Sequence, residues 1–299
     1  MTSAPATGDS PVVVETRAQL TALLAGTRAA GGRVGLVPTM GALHAGHASL
    51  LRTARQRLRD TDAVVASVFV NPMQFGPDED LARYPRSFES DLEVCAAEGA
   101  DIVFAPSVDE VYPGGEPQVA VSPGPLADVL EGASRPTHFR GVLTVVAKLF
   151  GLVRPDLAVF GQKDYQQLVL VRRMSDDLCI GVEVVGAETV RESSGLALSS
   201  RNHYLDEEQK VRALALSRAL YAGAKAGRDG AGAVLEAAHE VLAQADGLDV
   251  DYLSLVSPQL GEAPAYGQAR LLVAARVGPT RLIDNTALVL GDETRQGSS

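Results

Sequence analysis

The chain has 299 residues, 46% hydrophobic and 21% charged, so it can bury a substantial core in one large or two modest domains. Its formal net charge of −10 argues against a sequence-independent hold on DNA or RNA, although a locally positive field can still bind a small anion. No apolar run is long enough to predict a membrane span, and residues 1–11 lack the features of a secretory signal. Two cysteines in this length indicate a reducing, cytoplasmic location.

Residues 1–10 are predicted to lack fixed structure, and strands then alternate with helices. Apolar, β-branched runs predict strands over 12–14, 34–38, 63–70, 101–104, 157–160 and 182–185, with a further short strand at 119–121. Helical spacing predicts helices over 17–30, 48–59, 87–98 and 141–152, and another that opens within 161–167. This alternation predicts an α/β fold with a Rossmann-like, doubly wound parallel sheet, forming a domain of residues 1–189.

The character of the sequence changes after Val190. Asp206 and Gln209 have the spacing of a helix-opening capping box, and an alanine- and leucine-rich stretch follows them. A second helix is predicted over 231–245, and three β-like runs follow at 250–256, 270–277 and 281–290. The predicted second domain, residues 190–299, is therefore a smaller α+β unit.

The stretch PTMGALHAGH, residues 38–47, joins a predicted strand, expected to end at its proline, to a predicted helix. Gly41 and Gly46 allow a sharp turn and a close approach to a ligand, and the N–H groups at a helix start form a site for phosphate. His44 and His47 are three residues apart at that start, so both can face one anion. Two other interpretations remain open: a βα turn that binds nothing, and half of a metal site.

Two further stretches carry polar groups suited to a nucleotide. Lys163 and Asp164 lie where a strand passes into a helix, so the lysine can place a charge on a phosphate oxygen and the carboxylate can accept from a ribose hydroxyl or the lysine. The segment SSRN, residues 199–202, places two hydroxyls and an arginine on a loop that suits a mobile cover for phosphates. Each pattern also has an ordinary interpretation, as a solvated lysine or as serines in a turn or cap.

Four stretches in order resemble the pantothenate synthetase family, the pantoate–β-alanine ligases. The first is the turn at 38–47, which is that family's form of the His-x-Gly-His signature shared by nucleotidyltransferases and class I aminoacyl-tRNA synthetases. The others are FVNPMQF at 69–75, FGQKDYQQ at 160–167 and SSRN at 199–202. One His-x-Gly-His alone is weak evidence, but four stretches in register, within a resemblance from about residue 34 to residue 285, are highly specific.

The resemblance implies a ligase reaction in two steps. Pantoate and ATP give pantoyl adenylate and pyrophosphate, and β-alanine then displaces AMP to form pantothenate. The implied partners are ATP with Mg²⁺, pantoate and β-alanine, with no nucleic acid or membrane, and the chain is implied to be a homodimer. Magnesium would be held largely by phosphates and water. Because Ser90 and Val94 weaken any acidic metal site in their region, we predict no protein ligand for a metal.

The same resemblance implies roles for individual residues. Those implied in catalysis are His44, His47, Lys163, Ser199, Ser200 and Arg201. Those implied in ATP binding are Met40, His47, Gly161, Lys163, Asp164, Val190, Leu198, Ser199 and Arg201, with Leu198 where a methionine is expected. Those implied in pantoate binding are Pro38, Met40, Phe69, Gln74, His138, Val145, Val146 and Gln167.

Three other functions fit parts of this pattern. A cytidylyl- or adenylyltransferase shares the turn but leaves a nucleotide on its product, and the two glutamines implied in the substrate pocket disfavour it. A synthetase acting on tRNA needs an anticodon-binding region and a basic face, and neither is visible in the sequence. A non-catalytic nucleotide-binding module needs neither Lys163 nor a substrate pocket.

Overall fold

The computed structural model describes residues 10–77, 79–85 and 87–291, without the side chain of Asp80. The chain forms two compact units. The first extends to Gln162 and continues over 166–188, and the second comprises 163–165 and continues from Thr189. The prediction that residues 1–10 lack fixed structure falls, except at Ser10, outside the described residues.

The first unit is built on a sheet of parallel strands. The strands are β1 (Val12–Val14), β2 (Val34–Thr39), β3 (Ala63–Val68), β4 (Ile102–Phe104), β5 (Leu157–Gly161) and β6 (Glu183–Ala187). The sheet has the order β1-β4-β3-β2-β5-β6. The order reverses between β2 and β5, and open α/β sheets bind ligands beyond the carboxyl ends of the strands at such a switch point. The predicted Rossmann-like sheet is confirmed.

Helices connect and flank these strands. They are α1 (Arg17–Ala29), α2 (Ala45–Gln56), α3 (Phe88–Ala97), α4 (Val108–Val111), α5 (Glu131–Ser134), α6 (His138–Val153) and α7 (Tyr165–Asp177). One apolar cluster joins strand residues such as Val64 and Val159 to Leu51 of α2 and Cys95 of α3. The first five residues of β3 are all buried, as expected of a parallel strand covered on both faces. No helix within the described ranges is both long enough and apolar enough to cross a membrane.

The predicted end of β2 at its proline is wrong by one residue. Pro38 and Thr39 still pair with β3. The N–H and C=O of Val34 bond to Asp156, just before β5, so alternate residues, including Pro38, direct their backbone groups toward β5. The pairing of β2 with β5 ends at Leu36. Pro38 therefore lies beyond the end of this pairing, where a residue does not need an N–H group to bond to β5.

The strand predicted at 119–121 is wrong. The N–H of Val121 donates to Oγ1 of Thr144 at 3.1 Å instead of to another strand. The side chain of Val119 is 85% exposed, so it does not pack against a sheet. A short apolar run forms a strand only when a partner edge pairs with it.

The second unit consists of two helices and an antiparallel sheet. Its elements are α8 (Glu207–Lys225), α9 (Ala231–Ala243), β7 (Leu248–Val256), β8 (Gly267–Val277) and β9 (Thr280–Leu290). The strands have the order β7-β8-β9. The predicted capping box of Asp206 and Gln209 opens α8, and Leu220, Val234 and Leu271 lie in one buried cluster. The predicted smaller α+β fold is confirmed.

Residues 163–165 were predicted in the first domain, but their contacts place them in the second unit. Nδ2 of Asn285 donates to the backbone oxygen of Lys163 at 2.8 Å. The hydroxyl of Tyr165 donates to the oxygen of Pro258 at 3.0 Å. Lys163 is therefore fixed to the antiparallel sheet, although in the sequence it comes just after β5 of the parallel sheet. The predicted domain boundary at residue 190 stays a prediction.

Asp62, just before β3, is a buried carboxylate that ties two turns together. It is 3% exposed and accepts hydrogen bonds from the backbone N–H groups of Arg33 and Arg59, each at 2.9 Å. The Arg59 guanidinium donates to it as well. Burial opposes ionisation, but these bonds outweigh it and lower the pKa of Asp62 from 3.8 to about 2.

We expect Asp62→Asn to lower the free energy of unfolding by about 2 kcal/mol at pH 7. Because the folded-state pKa lies below that of the unfolded chain, this stability is present above about pH 4 and is lost as the pH falls toward 2. The deficit of the variant should shrink to roughly half at pH 3. Urea unfolding of both proteins at pH 7 and pH 3 measures it, and equal deficits at the two pH values would contradict the assignment.

Candidate active site

The predicted phosphate-binding turn follows β2 and ends in α2. His44 is the N-cap residue of α2, and its Nδ1 accepts a hydrogen bond from the N–H of Gly46 at 3.1 Å. In return, Nδ1 of His47 accepts from the N–H of His44 at 3.3 Å, and the ring centroids are 4.2 Å apart. Because an accepting ring nitrogen carries no proton, this network assigns the proton of each neutral imidazole to Nε2. The pair supplies two Nε2–H donors at a helix start, which suits a phosphate.

The turn is held by Asp91 of α3, a residue for which no role was predicted. Its Oδ1 accepts from the N–H of Leu43 at 2.7 Å, and its Oδ2 from that of Ala42 at 3.1 Å. Gly41 and Ala42 have φ values of +84° and +52°, and a Cβ on Gly41 would lie 3.0 Å from Oδ2 of Asp91. Asp91 lies 49 residues from Ala42 along the chain, so no local pattern links them. The buried carboxylate stabilises the left-handed conformation that brings the histidines to the helix start.

Two buried amides lie at the carboxyl end of β3. Asn71 donates from Nδ2 to Oε1 of Gln74 at 3.2 Å and to the oxygen of Gly141 at 3.1 Å. The Tyr112 hydroxyl donates to Oδ1 of Asn71 at 2.9 Å. Nε2 of Gln74 donates in turn to the sulfur of Met40. The structure thus brings together Met40 and Gln74, which were both predicted to bind pantoate.

His138, also predicted to bind pantoate, has both ring nitrogens in hydrogen bonds. Nδ1 lies 2.9 Å from the backbone oxygen of Gln74, which places the proton on Nδ1. Nε2 then accepts from Nη1 of Arg135 at 3.1 Å. Arg135 also donates to Glu79, and although burial opposes ionisation, this contact holds the pKa of Glu79 below its usual value. His138 therefore orients the segment that carries Gln74, and its direct contact with pantoate stays a prediction.

Three apolar residues predicted to bind pantoate are buried, and a glycine predicted to bind ATP has open space beside it. Phe69, Val145 and Val146 are all buried. Gly161 ends β5, and a Cβ built there would meet only Leu50 Cδ2, at 3.9 Å, among the described atoms within 4 Å. Packing within the protein therefore does not require the glycine, which favours the close approach of a ligand.

Two adjacent glutamines in the first turn of α7 have different surroundings. Gln166 is 2% exposed and donates from Nε2 to the oxygens of Leu126 and Val129 at 2.7 and 2.9 Å. Its Oε1 accepts from the N–H of Glu131 at 3.0 Å. Gln167 is half-buried, and its side-chain amide has no hydrogen-bond partner within the described part of the chain. Gln166 therefore holds a loop, and Gln167 is available to a ligand.

In the second unit, residues 190–198 form a short hairpin that leads into the predicted phosphate-covering segment. The N–H of Leu198 donates to the oxygen of Val190 at 2.9 Å, and Arg191 pairs with Ala197 in an isolated bridge. Val190 and Leu198, both predicted to bind ATP, are therefore neighbours. Leucine and methionine are both apolar and similar in size, so the departure at 198 from the expected methionine is a conservative one.

The three predicted catalytic residues 199–201 follow this hairpin and are half-buried. Oγ of Ser199 accepts from the N–H of Arg201 at 3.3 Å and caps a short 3-10 turn. Asn202 anchors the turn because its buried side chain donates from Nδ2 to the oxygen of Ala197 at 3.0 Å. Its Oδ1 is buried and has no hydrogen-bond partner in the described ranges.

Lys163 lies in the 3-10 turn Gln162–Asp164 between β5 and α7. It belongs to the second unit, as residues 199–201 do, whereas His44 and His47 belong to the first. Asp164 is exposed, which leaves its carboxylate accessible to a polar ligand. The predicted cationic residues are therefore carried by one unit and the imidazole donors by the other.

The two cysteines and the candidate metal ligands can be located within the residues that the structure describes. Burial raises the pKa of Cys95 to about 12, and the nearby Asp91 carboxylate adds to the shift, so this thiol stays protonated at neutral pH. Cys95 and Cys179 are both free of disulfides. No group of three histidine, cysteine or acidic side chains in the described ranges is placed to hold a metal. The absence of a protein metal ligand stays a prediction.

The His-x-Gly-His turn at the carboxyl end of β2, beside the switch point of a Rossmann-like sheet, defines a protein of the His-x-Gly-His nucleotidyltransferase superfamily. The family model described as Pantoate-beta-alanine ligase matches residues 12–287. The chain belongs to the pantoate–β-alanine ligase family.

Relatives of known name agree with this membership. The chain is 64% identical over 297 residues to a pantothenate synthetase from a Nocardioides species, covering 97% of this chain and 89% of that one. It is similar to the crystal structure of pantothenate synthetase from Thermus thermophilus, with a TM-score of 0.84, 48% identity, and 92% and 98% of the two chains covered. A pantoate–β-alanine ligase from Francisella tularensis, complexed with beta-gamma ATP and β-alanine, has a TM-score of 0.75, 31% identity, and 93% and 97% covered.

Proposed function

We propose that the chain joins pantoate to β-alanine at the expense of ATP, giving pantothenate, AMP and pyrophosphate through a pantoyl adenylate. The observation that carries this proposal is the His44–His47 pair at the start of α2, beside the switch point between β2 and β5. Membership of the ligase family supports the choice of substrates. The Francisella relative, complexed with beta-gamma ATP and β-alanine, supports the same choice.

In the first step, a carboxylate oxygen of pantoate attacks the α-phosphorus of ATP. The new O–P bond forms as the bond from that phosphorus to the pyrophosphate oxygen breaks. A carboxylate is already ionised near neutral pH, so the step needs no general base. It needs in-line positioning and stabilisation of the charge on the leaving pyrophosphate. We assign that stabilisation to the Nε2–H groups of His44 and His47.

We assign the phosphate contacts to Lys163 and to the hydroxyls and guanidinium at 199–201. Lysine supplies a point charge, and a planar guanidinium can bind two phosphate oxygens at once. In the second step the unprotonated amine of β-alanine attacks the acyl carbon of the adenylate. The C–N bond forms as the bond from that carbon to the phosphate oxygen breaks, AMP leaves, and the nitrogen gives up one proton to solvent. The nucleotide is proposed to lie against Met40, Gly161, Asp164, Val190 and Leu198.

Pantoate is proposed to bind in the first unit. The amides of Gln74 and Gln167 would hold its hydroxyls and carboxylate, because amides can donate and accept at once. Its methyl groups would pack on Met40, Phe69 and the two valines of α6. Pro38 and His138 complete the predicted pantoate-binding set. His138 is proposed to orient Gln74 through the hydrogen bond to the backbone oxygen of that residue.

Magnesium is proposed to arrive with ATP as part of the substrate. Both oxygens of Asp91 accept backbone N–H groups, so this carboxylate is committed to the turn. Phosphates and water are then the ligands that fit Mg²⁺, which neutralises phosphate charge when bound. The homodimer and the cytoplasmic location also stay proposals.

Replacing Gln166 or Gln167 by alanine is expected to separate stability from binding. Gln166→Ala leaves buried backbone groups without partners and should lower the free energy of unfolding by about 3 kcal/mol. Gln167→Ala should change it by less than about 0.5 kcal/mol but raise the KM for pantoate about tenfold. Urea unfolding and steady-state kinetics of both variants measure this. The reverse pattern, with Gln166 controlling KM, would refute the assignment.

Product identification tests the proposed function. The purified chain is mixed with Mg·ATP, pantoate and β-alanine, and the products are separated and identified by mass spectrometry. Pantothenate, AMP and pyrophosphate in equal amounts are expected. A product that keeps the nucleotide would indicate a nucleotidyltransferase, and the absence of AMP would indicate a non-catalytic nucleotide-binding module.

A further inference from the structure

Two consecutive residues of β9, Asp284 and Asn285, are polar and buried. Each is 4% exposed, and burying such groups is unfavourable unless they are hydrogen-bonded. Because successive side chains of a strand point to opposite faces of the sheet, the pair can reach two different segments. One of these segments leads into Ser199, and the other contains Lys163.

Asp284 holds the hairpin of residues 190–198 through Arg191. Its Oδ2 accepts from Nη1 at 2.6 Å and its Oδ1 from Nη2 at 2.9 Å. Two parallel bonds of this kind make an arginine–carboxylate pair strong and directional. Nη1 of Arg191 also donates to the oxygen of Gly195 at 3.2 Å, so one guanidinium ties the hairpin to β9. The hairpin runs directly into Ser199.

Asn285 holds Lys163 by its backbone. Nδ2 of Asn285 donates to the oxygen of Lys163 at 2.8 Å, and Oδ1 accepts from Nε of Arg270 at 2.9 Å. The second bond fixes which end of the amide faces Lys163. The Arg270 guanidinium also lies 3.9 Å from the centroid of the Tyr165 ring. The residues on both sides of Asp164 are therefore attached to the same strands.

We infer that Asp284 and Asn285 are positioning residues that set the spacing between Lys163 and residues 199–201. Each acts through the segment that it holds and is not assigned a contact with substrate. The inference rests on the proposed function, in which both segments contact the phosphates of one nucleotide. A misplacement of about 1 Å in such a site can cost on the order of 10²-fold in rate.

Asn285→Asp tests the contact with Lys163. The side chain keeps its size and an acceptor for Arg270, but an oxygen replaces the group that donates to Lys163. The kcat of pantoate-dependent adenylation should fall about 10- to 100-fold, with the KM for pantoate unchanged. Asp251→Asn is the matched control, because it breaks an ion pair with Arg281 in the same sheet and should retain kcat.

A second readout does not depend on activity. The full chain is treated with acetic anhydride, and the acetylation of Lys163 is measured by mass spectrometry relative to that of Lys225 in the same molecule. This ratio should change severalfold in Asn285→Asp and stay constant in Asp251→Asn. An unchanged ratio or an unchanged kcat in Asn285→Asp overturns the role of Asn285. A native chain without adenylation activity would overturn the proposed function instead, and the ratio would still decide how Lys163 is placed.

Asp284→Asn tests the contact with the hairpin. It removes the charge and one of the two acceptors that Arg191 uses. Trypsin cleavage after Arg201 should become severalfold faster, while the acetylation ratio of Lys163 to Lys225 stays at the native value. Cleavage at the native rate overturns the role of Asp284. A changed ratio also overturns it, because the two contacts would then not act on separate segments.

Discussion

Replacement of Lys163 by alanine is expected to slow adenylate formation by about 10²- to 10³-fold, the usual cost of one preorganised charge donor. The variant should remain folded, because the contact that anchors this residue uses its backbone oxygen and not its side chain. Single-turnover assays of pyrophosphate release measure the rate, and urea unfolding measures stability.

Lys225→Ala is the matched control for this prediction. Lys225 is an exposed lysine in the last turn of α8 and has no proposed contact with ATP. Its loss should leave the rate within about twofold, since surface substitutions of this kind have small effects. Turnover near the native value in Lys163→Ala would remove Lys163 from the catalytic set.

A comparison of two His44 variants is expected to separate the imidazole from the helix cap. Asparagine is a favoured N-cap residue, so His44→Asn can keep the acceptor for the start of α2 while it removes the Nε2–H donor. We expect the adenylation rate to fall by about 10²-fold or more, with stability close to that of the native chain. His44→Ala should lose the rate as well and also about 1 kcal/mol of stability.

The measurements are the rate of adenylation and the free energy of unfolding for the native chain and both variants. If His44→Asn turns over normally and His44→Ala does not, the residue is a structural cap and the proposed role in charge stabilisation is wrong. Equal losses of rate with different losses of stability are the expected pattern.

The parts of the fold that local patterns encode were predicted well. Apolar runs located all six strands of the parallel sheet, and the Asp206 capping box located the start of α8. The exception at 119–121 shows the limit of such patterns, because the N–H of Val121 is satisfied by Thr144 and not by a partner strand. An apolar run in the sequence carries no information about whether a sheet edge is nearby.

The residues that support the candidate site were harder to predict, since their partners are remote along the chain. Asp91 bonds to a turn 49 residues away, and the amide of Asn285 bonds to Lys163 at a separation of 122 residues. Each lies in a helix or strand whose local sequence carries no motif that points to the site. His44 and Lys163 could be proposed as site residues because glycines, spacing and resemblance mark them locally, whereas nothing local marks Asp91 or Asn285.

In the proposed two-step mechanism, the chain forms a free pantoyl adenylate without help from β-alanine. Exchange of labelled pyrophosphate into ATP measures this first step by itself, because attack on the α-phosphorus is reversible while pyrophosphate is present. We expect label to enter ATP when pantoate and Mg·ATP are present without β-alanine, and no label to enter when pantoate is omitted. Exchange that appears only after β-alanine is added would contradict the two-step mechanism.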